Sequence, residues 1–227
     1  TKIAEYIHRH SEQTGIIYCS SKKNCEDLAS FLKMNNVNCE FYHAGMSKKK
    51  REHVQTEWVQ DNVKVIIATI AFGMGIDKAN VRYVIHFNMP TSTENYYQEI
   101  GRAGRDGLRS NCIMFLNKQD ICIYTRTMKP EKKQKVHTIY NILSNKVDCI
   151  HYLVSHYLGD KTMFGKSPLN FCSNCCNCNR KKKIIWANIQ SKAQLIINSI
   201  IRDRNITYYK LSQITQFDRD TLNRIML

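Results

Sequence analysis

"GIIYCSSKKNCEDLASFLKMNN", Gly15 to Asn36, decides the fold. Its first residues, GIIYCS, form a short β-rich apolar run. From Ser21 the pattern changes to a serine-capped stretch with apolar residues at helical spacing. The same alternation follows downstream. "CEFYH" leads to the serine-capped "SKKKREHVQTEWVQDN". "VKVIIAT", "VRYVIHF" and "NCIMFL" read as further strands, with one more helix after "PTSTEN". Strands that alternate with helices in this way predict an α/β fold, a parallel sheet covered on both faces.

Beyond Asn117 the strand signal stops. Lys118 to Leu158 holds two amphipathic stretches around the basic run "KPEKKQK", which predicts a helical hairpin leading into a cysteine cluster. After Arg180 to Lys183, "SKAQLIINSIIRDRN", "YYKLSQITQ" and "DRDTLNRIML" predict three short helices with no strand after them. The chain lacks an initiator methionine and starts near a helix. It reads as a fragment of a longer protein that stops mid-domain.

With 227 residues, 43% hydrophobic and 23% charged, the composition is globular and argues against disorder. Lys and Arg total 34 against 19 Asp and Glu, a net charge of +15, which favours a polyanionic partner, nucleic acid before membrane. No apolar run reaches membrane-spanning length. The N-terminus has no apolar signal core, so a reducing compartment is expected: nuclear in a eukaryote, otherwise cytoplasmic. There, ten cysteines point to metal rather than disulfides.

"FCSNCCNC" spaces Cys172, Cys175 and Cys178 by two residues each, with Cys176 interleaved and Cys149 upstream on a predicted helix. That spacing lets neighbouring thiolates converge on one tetrahedral ion, and four soft ligands suit zinc. An iron-sulfur centre is the rival, although ferredoxin-type runs need a further spaced cysteine and usually Cys-Pro. Cys19, Cys25, Cys39, Cys112 and Cys122 read as buried small hydrophobes or surface thiols.

"GDKTMFGKS", Gly159 to Ser167, superficially suggests a phosphate loop. Five residues separate its glycines where the pattern needs four, and a helical stretch precedes it rather than a strand, so it reads as a linker. No acidic box follows any strand. The parts that hold a triphosphate and magnesium are therefore not in this sequence.

"YYQEIGRAGRDG", Tyr96 to Gly107, otherwise reads as a helix, in which Gln98, Arg102 and Arg105 fall within an arc of about 60°. Gly101 and Gly104 on the flank each cost up to about 1 kcal/mol relative to alanine in a helix interior, a sacrifice that suggests a close approach to the backbone. "VIIATIAFGMGIDKANVRYVIHF" places Thr69 at a strand end and Asp77 past Gly73 and Gly75. A Thr hydroxyl there suits a nucleic-acid phosphate, and an Asp suits ribose hydroxyls.

"YCSS", "YHAGM", "ATIAFGMGIDK" and "YYQEIGRAGRDG", followed by a helical segment and the cysteine cluster, resemble the RecQ family of DNA helicases over nearly the whole chain. The resemblance implies a second RecA-like motor lobe (1–117), a helical zinc-binding subdomain (118–183) and the start of a winged helix (184–227). It implies 3′ to 5′ DNA unwinding driven by ATP, with ATP and Mg²⁺ held mainly by a first lobe. Arg105 would act as the arginine finger, supported by Arg102 and Gln98. Asp77 and Gly75 would face the nucleotide. Ser20, His43, Gly45 and Thr69 would hold the tracking strand, and Cys149, Cys172, Cys175 and Cys178 the zinc. Cys176 and a longer gap to Cys172 depart from the commoner spacing.

Plainer roles compete at several positions. Lys48 to Arg51 reads as a solvated helix face, the Tyr96 and Tyr97 pair as packing, and His43 as a capping or packing residue. A surface salt bridge competes for the arginines. An RNA helicase lobe shares the fold, although the "YYQE" opening and the cysteines downstream favour the DNA enzyme. A catalytically dead, zinc-stabilised DNA-binding scaffold is the other alternative.

Overall fold

The computed structural model describes residues 2–73, 76–163, 165–169, 171–180, 190–203 and 206–215, in two compact units, Thr1–Arg180 and Lys181–Leu227. In the first unit five strands form one sheet: β1 (Thr14–Tyr18), β2 (Cys39–Tyr42), β3 (Val65–Ala68), β4 (Val81–His86) and β5 (Asn111–Met114). Their order is β2-β3-β1-β4-β5 and every pairing is parallel. Helices α1 (Lys2–Arg9), α2 (Lys22–Met34), α3 (Lys48–Val59) and α4 (Thr93–Ile100) fill the connections.

Strand alternation sorts the core into two layers. Ile17, Val65, Ile67, Tyr83 and Ile85 pack with Ile3 and Ile7 of α1 and with Leu28 and Leu32 of α2. Ile16, Tyr18, Ile66, Ala68 and Val84 pack on the other face with Val54 and Trp58 of α3 and with Phe72. Trp58 is fully buried, edge-on to Phe72 with ring centres 5.3 Å apart. The two predicted serine caps are present: Ser21 Oγ accepts from Asn24 N at 3.1 Å and Ser47 Oγ from Lys50 N at 3.3 Å. Ser92 does the same for α4, accepting from Asn95 N at 3.2 Å. This is the expected doubly covered parallel sheet, and it sets the four loops after β1 to β4 along one edge.

The stretch read as a helical hairpin contains three helices, α5 (Lys118–Thr127), α6 (Pro130–Ser144) and α7 (Ile150–Tyr157). Pro130 explains the extra break. It occupies the first turn of α6, where its missing N–H costs nothing, and the residues just before it, Met128 and Lys129, are extended. These helices bury Val136, Ile139, Ile150 and Val154 against Met89 and against Tyr96 of α4. Tyr96 is thus a packing residue, whereas Tyr97 is half exposed. "GDKTMFGKS" forms a 3₁₀ turn, Lys161–Met163, between Gly159 and Gly165 at φ +80° and +77°.

In the second unit, α8 (Gln190–Arg202) and α9 (Tyr208–Thr215) meet through Ile196 and Leu211. The third predicted helix, "DRDTLNRIML", lies outside the described residues. Among the described residues no helix is long and apolar enough to cross a membrane.

Candidate functional site

The arginine segment departs from the predicted helix. α4 ends at Ile100, and residues 101–107 continue as successive turns, with Arg102 N donating to Glu99 O (3.3 Å) and Ala103 N to Ile100 O (3.1 Å). Arg102 and Arg105 therefore do not share a continuous helical face with Gln98. The physical reason is Gly104, whose φ of +66° only glycine adopts readily. A Cβ there would stand 2.8 Å from both Leu108 O and Ser110 Oγ. Its amide donates to Val81 O at 2.9 Å, which fixes the turn to the start of β4.

The turn aims both arginines at the loop after β3. Arg102 Nη1 donates to Gly73 O at 2.5 Å, and a Cβ on Gly73 would lie 2.7 Å from Arg102 Nη2, so glycine at 73 makes room for the guanidinium. Arg105 Nη1 donates to Ile76 O at 2.9 Å and Nε to Gly101 O at 3.3 Å. It also lies 3.7 Å from Asp77, whose side chain is 96% exposed. Such an open ion pair is worth about 0–1 kcal/mol, so an incoming phosphate could take the place of Asp77 at little cost. Gln98 is exposed on α4 and makes no hydrogen bond to either arginine. Gly75 lies outside the described residues.

A second group of residues lines the carboxyl ends of the strands. Ser20 follows β1, His43 and Gly45 follow β2, and Thr69 follows β3. Ser20 and Thr69 line one cleft of about 120 Å³ together with Ile70, Asn88 and Thr91. Ser20 N donates to Asn88 Oδ1 at 3.1 Å, and Asn24 Nδ2 donates to Ser20 Oγ at 3.2 Å. His43 is 4% exposed, stacked on Phe41 and hydrogen-bonded through Nε2 to Glu26 at 2.9 Å. Gly45 is exposed, and a Cβ on it would approach Lys22 Nζ at 3.1 Å and His43 Nδ1 at 3.2 Å. The sequence reading missed Lys22 and Asn88. Neither stands in the short motifs, and only the sheet order brings them beside Gly45 and Ser20.

The third group is the cysteine cluster. The sulfurs of Cys149, Cys172, Cys175 and Cys178 all lie within 4.8 Å of one another. Cys172 and Cys178 are 3.7 Å apart, Cys175 and Cys149 3.9 Å. A tetrahedron with metal–sulfur bonds of about 2.3 Å has edges of about 3.8 Å, so the donor set fits a tetrahedral metal ion. Cys149 caps α7 rather than sitting within it, and its amide donates to Pro168 O at 2.8 Å. Burial pushes the Cys149 thiol up to about 12. At Cys175 burial also opposes ionisation, but amide hydrogen bonds from Cys178, Ile150 and Asn177 outweigh it and draw the thiol down to about 6. Asn177, 7% exposed, ties the cluster to the preceding loop by donating to Asn145 O (3.0 Å) and Asp148 O (2.7 Å). Cys176 is exposed and outside the cluster.

Residues 1–107 match the helicase conserved C-terminal domain, a span that ends on the last glycine of the arginine motif. The chain is 36% identical to the ATP-dependent helicase SGS1 of Saccharomyces cerevisiae, over 94% of this chain and 16% of that protein. It is 40% identical to the RecQ-like DNA helicase BLM of Xenopus laevis, over 78% of this chain and 14% of that protein. Over most of its length the chain is similar to RecQ-family DNA helicases. The chain spans about a sixth of the length of these relatives. In fold, the chain is similar to the E. coli DEAD-box protein SrmB in a structure bound to RraA, with TM-score 0.50 and 23% identity over 60% of this chain and 74% of that one. The lobe is a RecA-like helicase C-terminal lobe.

Proposed function

We propose that this chain supplies the second motor lobe (1–117), a zinc-bearing subdomain (118–183) and the start of a winged helix (184–227) to an ATP-dependent DNA helicase that travels 3′ to 5′ and serves recombination, repair and replication. In that reading a first lobe holds ATP and Mg²⁺, and Arg105 reaches the γ-phosphate when the lobes close. The observation that carries it is the arginine turn. Two guanidinium groups are held by backbone carbonyls of one loop, and Arg105 keeps an exposed edge with Asp77 as its one ion-pair partner among the described residues. A planar fork of donors suits the charge that develops on a transferring phosphoryl group.

The strand-end residues take the DNA in this reading. Ser20, Lys22 and Thr69 offer hydroxyl and ammonium donors to phosphates, while buried His43 holds the loop bearing Gly45. Asp77 faces the nucleotide, and Gln98 reaches the arginine turn only once the nucleotide is bound. Zinc on Cys149, Cys172, Cys175 and Cys178 would cross-link α7 to the cysteine loop and so contribute directly to folding.

The test is directional unwinding. A protein pairing this chain with an ATP-binding first lobe is expected to separate a 3′-tailed duplex with ATP and to leave a 5′-tailed one intact, while the chain alone hydrolyses no ATP. Unwinding from the 5′ tail, or hydrolysis by the chain alone, would contradict the assignment.

A further inference from the structure

A buried ionisable pair lies between the cleft at the strand ends and the arginine turn. His86, the last residue of β4, places Nε2 2.8 Å from Glu99 Oε2 in the last turn of α4, with side chains 1% and 8% exposed. Replacing such a pair by well-packed apolar side chains is often neutral or stabilising, so stability alone does not account for it. Its position is more informative. Both residues line the cleft that carries Ser20, Thr69 and Asn88. His86 Nδ1 is buried and makes no hydrogen bond among the described residues.

From this pair two short routes lead to Arg102. On the first, Glu99 O accepts the amide of Arg102 at 3.3 Å, so the residue that grips His86 through its side chain also holds the start of the arginine turn through its backbone. On the second, the His86 ring stacks on Tyr18 (centres 5.6 Å, interplanar angle 28°), and Tyr18 Oη donates to Phe72 O at 2.9 Å. Phe72 precedes Gly73, whose carbonyl takes the Arg102 guanidinium. β4 is clamped at both ends by the same segment, at His86 by Glu99 and at Val81 by the amide of Gly104. A displacement at the cleft therefore has strand β4, one hydrogen-bonded path and a second that begins with a ring stack along which to move Arg102.

We propose that Glu99, through His86, is a positioning residue that sets the arginine turn according to whether the cleft is filled, so that nucleic acid at the strand ends is registered at the nucleotide-facing arginines. The inference rests on the assignment of that edge to DNA. Coupling between two sites is a free energy, and spatial intermediacy is not a measure of it, so the test reads the far site directly.

The experiment uses this chain with isotopically labelled arginine guanidinium groups, a short single-stranded oligothymidylate as probe, and NMR. The Arg102 signal of the parent is expected to shift in proportion to DNA saturation. Glu99→Leu alone leaves the His86 Nε2 without its partner and costs folding stability, so His86→Leu/Glu99→Leu, which removes both partners together, is measured beside it. The double variant is expected to melt near the parent temperature, while the Arg102 shift, read at oligonucleotide concentrations that saturate each protein, is lost. Glu99→Gln, which keeps an acceptor at the same place, should retain it. A structural role alone would change melting and leave the shift in place. An undiminished shift in the double variant, or DNA binding by the parent with no shift, overturns the inference and leaves the DNA edge standing. No DNA binding by the parent overturns both.

Discussion

Gly104→Ala tests whether the arginine turn is built as described. Alanine at φ +66° adopts the left-handed conformation at about 1–2 kcal/mol. Its Cβ would also sit 2.8 Å from Leu108 O, a backbone atom that cannot swing away, and 2.8 Å from Ser110 Oγ. Overpacking of that kind adds about 1–3 kcal/mol, for a total of about 2–5 kcal/mol. In a unit the size of Thr1–Arg180, each kcal/mol moves the melting temperature by about 2–4 °C, so a fall of about 4–20 °C is expected. Gly107→Ala is the internal control. Its φ is +79°, but an added Cβ meets nothing within 4 Å, so only the conformational cost of about 1–2 kcal/mol applies. Thermal unfolding followed by circular dichroism compares the two. Equal losses, or a smaller loss for Gly104→Ala, would refute the close approach to Leu108.

Three further outcomes follow from the remaining features. Purified chain should carry one zinc, lost in Cys172→Ser and kept in Cys176→Ser, with chelation unfolding the region around α7; elemental analysis showing iron, or none in folded protein, would reject the ligand set. Oligonucleotide affinity should fall with salt with a log-log slope of about 0.9 per phosphate contacted on duplex and about 0.7 on single strands, whereas salt-independent binding would reject a phosphate-led interface. Trp58→Ala should destabilise the lobe by about 3–5 kcal/mol in denaturant titration, because the indole is fully buried between α3 and the sheet, and a loss below about 1 kcal/mol would contradict that packing.

The lobe was legible because short apolar runs and capped helices alternate: each strand and both serine caps sit where the periodicity puts them. The four-cysteine grouping was legible for a similar reason, since two-residue spacing fixes local geometry and only Cys149 had to be found at a distance. The arginine turn was misread as helix because Gln98, Arg102 and Arg105 keep helical spacing. The left-handed backbone of Gly104 goes with its amide bond to Val81 O and with the lack of room for a Cβ beside Leu108 and Ser110, neither of which helical periodicity reveals. The same applies to Lys22 beside Gly45 and to Asn88 beside Ser20, where proximity is created by strand order. Pro130 was visible, but its effect as a helix start was submerged in a basic run that reads as one amphipathic stretch.

The central claim, that Arg105 is the group this lobe extends to a phosphoryl group in transfer, is tested most directly by DNA-stimulated ATP hydrolysis in a protein that unites this chain with an ATP-binding first lobe. Arg105→Ala should lower the rate by about 10³- to 10⁵-fold while nucleotide binding stays nearly intact, because a finger of this kind stabilises charge that appears only in the transition state. Arg105→Lys should fail to restore it, since a point charge does not reproduce the fork that now spans Ile76 O and Gly101 O. Hydrolysis by Arg105→Ala at close to the parent rate would contradict the account.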